Sequence, residues 1–508
     1  MKPGREQAGP LRDGRFWLVV AAVVAPLLQS MGRPPDFDEV NFLTLARGAA
    51  AAPWRPHDIP INWQGTTQPA FEVLSNPPGL AWWLAPWLGA PTWLQRAAML
   101  PWLVLAAWGS WRLGRRFLGD GQLGALLLLA SPIVLLSTTA LLPDAPLFAL
   151  AVAGLAGLVE AGEQGRRVWP WALVLGAASL FRYSGVALWP LVPLWLFLQR
   201  RPLAPALLVS VPLGLLALHD LTAYGRVHIL AMGTFQSVSN TPADWGHKAV
   251  AAVTMLGGAV VLPVYRWHRR AWVLAALGAL AAAPWGWVAA GFGALGGAAL
   301  APVLDAVRPA PGGEGSRAAP DRVFLAAWAL LGAAFLLTLR FTAARYWLPF
   351  MPALALLLPG SFPRARVVLG GLLGFLLVTD DAMHARASTA LAQRASAVGP
   401  GRFTGHWGWQ GALEAAGWSA LDEGAAPAAG SVVAIPTEAW PQRVDVRCDH
   451  VRWEGHAWPA IPWLPRAYSR EAGANLHANW IAGPPPVRTV VPWWFAGDAW
   501  EHARVCQE

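Results

Sequence analysis

An α-helical, multi-span membrane protein with a small α/β domain at its C-terminal end is the fold class that three features of the sequence predict. The 508 residues are 55% hydrophobic and only 13% charged, too little polarity to cover a soluble globule. The arginines gather in short clusters between apolar runs. Beyond about residue 380 no apolar run reaches the ~20 residues that a span requires, and Pro, Gly and polar residues interrupt short strand-like pieces.

The apolar runs come first. Phe16 to Met31 follows Arg12 and Arg15 with no small-residue cleavage site after it, so it reads as a retained first span. Arg12/Arg15, Arg112/Arg115/Arg116, Arg166/Arg167, Arg200/Arg201, Arg266/Arg269/Arg270, Arg308/Arg317/Arg322 and Arg364/Arg366 all fall at inside-facing turns if the N-terminus is inside. Between consecutive clusters the chain goes out and returns, which gives about thirteen spans, the last leaving over Val367 to Thr379. Residues 271–305 read either as two short helices or as one long helix with a loop. APVLDAVRPAPGGEGSRAAPDR (301–322) reads as a flexible cytoplasmic loop, since its Gly and Pro do not continue a helix. Topology accounts for the net charge of +9, and nucleic acid is set aside as a partner.

This divides the chain into a transmembrane domain, 1–379, whose first outer loop spans 32–92, and a soluble outer domain, 380–508. The strand-like pieces of the latter are SVVAIP (431–436) and VRTVVPWWF (487–495). Its tryptophans suit the lipid interface or a small core better than sugar stacking. Both cysteines, Cys448 and Cys506, lie there, where the compartment is oxidising, and a disulfide between them is expected; two unrelated buried thiols are the alternative.

The first outer loop is too long for a simple connector. It opens on RPPDFDEVNF (33–42), continues through an amphipathic piece (VNFLTLARGAA) and closes on NPPGLAWWLAPWLG, whose Trp82, Trp83 and Trp87 suit a segment resting in the interface. The acids Asp36, Asp38 and Glu39 are thereby held at headgroup depth, where a lipid-linked phosphate sits. Asp144, in TTALLPDAP (138–146), reaches the same level between Pro143 and Pro146. An ionisable residue at a helix junction is a functional candidate, although a solvated cap also places an Asp there. Cations join them: Arg182 in FRYSG (181–185), and Arg340, Arg345 and Tyr346 in RFTAARYWLPFMP (340–352), against the positive-inside trend. Interfacial snorkelling explains each arginine singly; their coincidence with carboxylates on one face favours phosphate recognition.

The order DFDE, NPPGLAWW, LLPDAPL, LFRYSG and RYWLPFMPAL resembles, over about residues 16–380, the GT-C membrane glycosyltransferases. The likeness is to the bacterial members of glycosyltransferase family 39, the protein O-mannosyltransferase and aminoarabinose transferase-like superfamily. FTGHWGWQGALEAAGW (403–418) also looks like the start of an outer domain in bacterial members of that group. The resemblance implies a periplasm-facing glycosyltransferase in a bacterial inner membrane, using a polyprenyl-phosphate-linked sugar. Its acceptor would be a glycan, lipid or protein. The first-loop motif carries the family's base, which falls on Asp38 with Glu39 as its supporting neighbour; Asp144 matches the second acidic position. Arg345 and Tyr346 match the segment that approaches the donor phosphate. Arg182 departs from the family, standing where many relatives have lysine.

The chemistry suits these residue types. A carboxylate orients an acceptor hydroxyl and takes its proton, and preorganised arginines, Arg345 first and Arg182 and Arg340 next, stabilise the departing lipid phosphate. With no enzyme adduct the displacement is single and inverting. No cofactor is required; a divalent ion is optional, with Asp36, Asp38 and Asp144 as its candidate ligands. The D-x-D spacing of DFD suits nucleotide sugars, which are cytoplasmic, whereas this cluster faces outward. His57, His219 and His406 show no zinc spacing, and no Walker-type loop supports ATP-driven transport. A transporter or flippase of lipid-linked sugars is the alternative function, and a non-catalytic assembly subunit a third; the polar residues at the rim, without visible repeats, favour an interfacial enzyme.

Overall fold

The computed structural model describes residues 10–508 except 64, 238–240, 308–317, 359, 440–441, 443–445, 447 and 483–485. The heart of the expected 301–322 loop therefore lies outside the described residues. The chain is mostly helical, with its strands concentrated in the last hundred or so residues.

Among the described residues five helices are long and apolar enough to cross a membrane: Asp144–Glu163, Ala204–Tyr224, Trp287–Ala306, Pro320–Thr338 and Pro363–Ser396. Gly121–Leu129 and Pro132–Thr139 make a sixth if counted together, although they are bent by 70°. Gly14–Leu28, Trp169–Leu180 and Tyr183–Leu198 are shorter apolar helices. Uninterrupted long helices thus fall well short of the thirteen spans expected. Proline is one reason: Pro132 opens the second member of the bent pair and Pro284 lies in the turn Ala283–Trp285, so an apolar run is covered in pieces. Residues 271–305 resolve into two helices, Arg269–Ala282 and Trp287–Ala306, packed on each other around Gly286, whose φ of 98° turns the chain.

Asp144–Glu163 is the centre of the bundle, with almost every residue buried. Its neighbours approach closely because small residues face it, as is usual where lipid supplies no hydrophobic drive between helices. A Cβ on Gly109 would lie 2.6 Å from the backbone nitrogen of Ala153.

The last long helix corrects the domain boundary. Pro363–Ser396 runs 34 residues without a break, about 51 Å at 1.5 Å per residue against a hydrocarbon core of about 30 Å. Apolarity fades after Thr379 but helix-forming residues continue, so residue 380 falls inside a helix that enters the C-terminal part. There a five-stranded sheet runs in the order Ser419–Ala420, Arg402–Phe403, Val432–Pro436, Glu501–Gln507, His450–Ala457. The first three are parallel and the last two pair antiparallel. SVVAIP is the expected strand, whereas VRTVVPWWF yields only Val487–Arg488 and Trp494–Phe495. Trp407, Trp409, Trp418 and Trp500 fill the core, while Trp458 and Trp463 are exposed.

Cys448 and Cys506 form the expected disulfide, with Cα atoms 4.9 Å apart, stapling the approach to the edge strand His450–Ala457 onto its neighbour Glu501–Gln507. It closes a loop of 58 residues, for which chain entropy gives about 4 kcal/mol. Cys506→Ser is expected to destabilise the C-terminal domain by about 2–5 kcal/mol, read as faster limited proteolysis of this domain than in the native chain.

Candidate active site

The acidic motif follows the helix Gly14–Leu28 and precedes the helix Glu39–Ala51, and its three carboxylates go to three places. Phe37 turns the chain with a φ of 44°. It buries its ring against His384, Trp407 and His477, at centroid distances of 5.2, 4.8 and 4.5 Å. Asp36 points inward: its Oδ2 meets Nδ1 of His384 at 2.6 Å, and its Oδ1 accepts from the backbone N–H of Phe37 at 2.9 Å and of Gly408 at 3.0 Å. Burial works against its charge, but His384, those N–H groups and Arg33 overcome it and hold the carboxyl below its ordinary range.

Glu39 is the correction to the expected base pair. It is 1% exposed and accepts from Nη2 of Arg33 at 2.7 Å, from both Nη atoms of Arg96 at 2.9 and 3.0 Å, and from the N–H groups of Asp36 and Leu141 at 2.9 and 2.7 Å. Arg33 also pairs with Asp381 at 3.0 Å. Burial raises the Glu39 carboxyl and the two guanidiniums more than reverse that, leaving it ionised. With its oxygens so occupied, Glu39 anchors the turn and has no capacity left to assist a proton transfer.

Asp38 alone of the three faces outward, its side chain 26% exposed, and it pairs with Nη2 of Arg345 at 2.7 Å. Arg345 and Tyr346 lie in the turn Ala344–Trp347, after the helix Ala318–Thr338. The Tyr346 ring lies between two guanidiniums, 4.7 Å from Arg182 and 5.8 Å from Arg345. Arg182, on extended backbone between two short 3₁₀ segments, pairs with the fully buried Asp144 at the start of its helix. The contacts therefore run Asp38, Arg345, Tyr346, Arg182, Asp144 in one chain, joining five of the residues expected from sequence. Asp144 Oδ2 and Arg345 Nε are buried without a hydrogen-bond partner among the described residues. Arg340 is half-buried, five residues before Arg345 and beyond the end of that helix.

Asp36, Asp38 and Asp144, the expected ligands for an optional divalent ion, turn to His384, Arg345 and Arg182 instead of converging. Of the histidines weighed for zinc, His57 reaches the Asn76 carbonyl, His219 the Trp54 carbonyl and Asp220, and His406 Gln410. Trp82 and Trp83 use their indole N–H groups inside the loop, on the carbonyls of Pro53 and Ala98.

Several residues that matter here were not singled out in the sequence. Arg96, in the apolar stretch LQRAAML, carried a signal, since an arginine surrounded by apolar residues needs an acid. Asp381 and His384 carried a weaker one, as DDAMH ends an apolar run. His477 and Gly408 carried none, because their place depends on how the C-terminal part packs.

No protein-family model matches the chain, and no curated protein does. Among solved structures it is similar to the crystal structure of ArnT from Cupriavidus metallidurans bound to undecaprenyl phosphate. The two share 18% identity over 79% of this chain and 85% of that one, with a TM-score of 0.42.

Glu39→Ala leaves two buried guanidiniums short of a partner and is expected to cost about 3–5 kcal/mol of stability, read as a lowered unfolding temperature in detergent. Asp38→Asn, at a carboxylate about a quarter exposed and with one guanidinium partner instead of two, is expected to lower it less than Glu39→Ala does.

Proposed function

We propose that this chain is a membrane glycosyltransferase that moves a sugar from a polyprenyl-phosphate donor to a hydroxyl on the outer face of the membrane. The observation that carries this reading is the pairing of Asp38 with Arg345 at one end of the helical bundle, beside Tyr346, Arg182 and Asp144. A rim site built of alternating acids and guanidiniums suits a reaction that releases a proton and a lipid phosphate together. The order of motifs along the chain, which resembles the GT-C enzymes, supports it.

In the proposed reaction the donor phosphate competes with Asp38 for Arg345, because a phosphate offers a guanidinium a second charge-assisted bond. Its arrival releases Asp38 to accept a proton from the acceptor hydroxyl. The acceptor oxygen forms its bond to the anomeric carbon as the bond from that carbon to the phosphate oxygen breaks. The electron pair leaves with the lipid phosphate, beside Arg345 and Arg182. No residue of the chain is bonded to the sugar at any stage, so the configuration inverts. Asp144 holds Arg182 in place, and Tyr346 spaces the two cations. The C-terminal domain and the active site face the periplasm of a bacterial inner membrane in this reading, and no divalent ion is required.

Mass analysis of envelope glycans, lipids and proteins from cells with and without the chain identifies the product. Asp38→Asn is expected to lower its formation by about 10²- to 10⁴-fold, the usual contribution of a general base. Arg345→Lys is expected to lower it less than Arg345→Gln, since lysine keeps the charge but not the bidentate fork. Normal product from Asp38→Asn contradicts the proposal, as do sealed vesicles that translocate a labelled lipid-linked sugar without transferring it.

A further inference from the structure

The segment 475–479 of the C-terminal domain lies across both halves of the rim site. The backbone N–H of Ala344 donates to the Leu476 carbonyl at 3.1 Å, and that of Thr342 to Oδ1 of Asn479 at 2.9 Å, so the segment braces the turn that carries Arg345 and Tyr346. Between those two anchors the His477 ring packs against Phe37 of the acidic motif, tilted by 34°. Its backbone N–H is held by Oδ1 of Asn475 at 2.9 Å. Leu476 and His477 line a small cavity together with Phe37, Arg345, Ser137 and Leu142. The same cavity is lined by the buried charges Arg33, Asp36, Glu39 and Asp381. Nε2 of His477 is buried without a hydrogen-bond partner among the described residues. A buried polar nitrogen left unpaired is costly, and in a residue that lines a cavity beside a charged site it marks a place for a ligand group.

We infer that His477 is a substrate-contacting residue of this site, and that its Nε2 hydrogen-bonds a hydroxyl of the transferred sugar or of the acceptor. The inference rests on the transferase reading above and adds that the C-terminal domain completes the active site. A hydroxyl, not the phosphate, is the partner this position suits. Burial, reinforced by the neighbouring Arg345 guanidinium, lowers the imidazole to a pKa of about 3, so the ring is neutral at working pH. A neutral imidazole pairs with an alcohol as donor or acceptor, while Arg345 already supplies the charge that a phosphate requires.

Two variants of the full chain in membranes separate this role from a packing role. His477→Phe keeps a ring against Phe37 and removes the nitrogen; His477→Gln keeps a hydrogen-bonding group. His477→Phe is expected to bind undecaprenyl phosphate, a probe without sugar, as the native chain does, and to form about tenfold less envelope product, the worth of one hydrogen bond. His477→Gln is expected to recover most of that loss. Native levels of product from His477→Phe overturn the inference. So does a parallel loss of undecaprenyl phosphate binding, which indicates a phosphate or packing role, and so does a Gln variant no better than Phe. Failure of the transferase reading itself is seen separately, as native product from Asp38→Asn.

Discussion

The closure of Arg33 and Arg96 on Glu39 is the constraint on which the site depends. Glu39, Arg33 and Arg96, with Asp381 as a fourth charged side chain, lie out of water, where each alone is strongly unfavourable and where their mutual pairing offsets the cost of burial. Such a network tolerates little displacement, because both oxygens of Glu39 are committed to Arg33, Arg96 and two backbone N–H groups. Its consequence is positional: with Glu39 fixed at the start of its helix and Asp36 fixed to His384 and Gly408, the residue between them that faces outward is Asp38. The conformation of Phe37, with its positive φ, is held by packing against three rings, of which His384 is stacked and Trp407 and His477 are tilted.

The same network ties the C-terminal part to the membrane part. His384 and Asp381 stand on the helix Pro363–Ser396, which starts within the apolar bundle and carries the sheet domain at its far end. Gly408 lies at the start of the helix Trp407–Ala415 and leaves no room for a side chain, since a Cβ there would sit 2.8 Å from the Asp36 carboxylate. Asp380 extends the join through Arg466 and the N–H groups of Ala467 and Trp500. The acidic turn is thus gripped from the bundle by Arg96, from the long helix Pro363–Ser396 by His384, and from the C-terminal part by Gly408 and His477. Two parts that composition separates are one unit at the site.

The mostly helical, apolar character of the fold and the proximity of several candidate residues were legible in the sequence because they rest on local signals. Apolar runs and arginine clusters mark membrane helices wherever they pack, and acids or arginines placed against that pattern stand out; Asp38, Asp144, Arg182, Arg345 and Tyr346 were found this way, and the structure brings them together. Cys448 and Cys506 were legible because a pair of cysteines in one domain has few alternatives. Roles were harder than places. Asp36, Asp38 and Glu39 are neighbours with the same chemistry, and only the burial of Glu39 between Arg33 and Arg96 separates an anchor from a candidate base. The boundary near residue 380 was misplaced because a change in polarity does not end a helix. His477 was invisible, since nothing near it in sequence shows that it meets Phe37, which lies 440 residues earlier.

The account turns on Arg345 being shared between Asp38 and an incoming phosphate, so the direct measurement is the affinity of the full chain in nanodiscs for undecaprenyl phosphate. With the competing carboxylate removed, Asp38→Asn is expected to bind this lipid about fivefold more tightly, the worth of a partly exposed ion pair of about 1 kcal/mol. Arg345→Gln is expected to bind it more weakly than the native chain. Unchanged or weaker binding by Asp38→Asn contradicts the account, because the arginine that Asp38 holds would then not be the one that receives the phosphate.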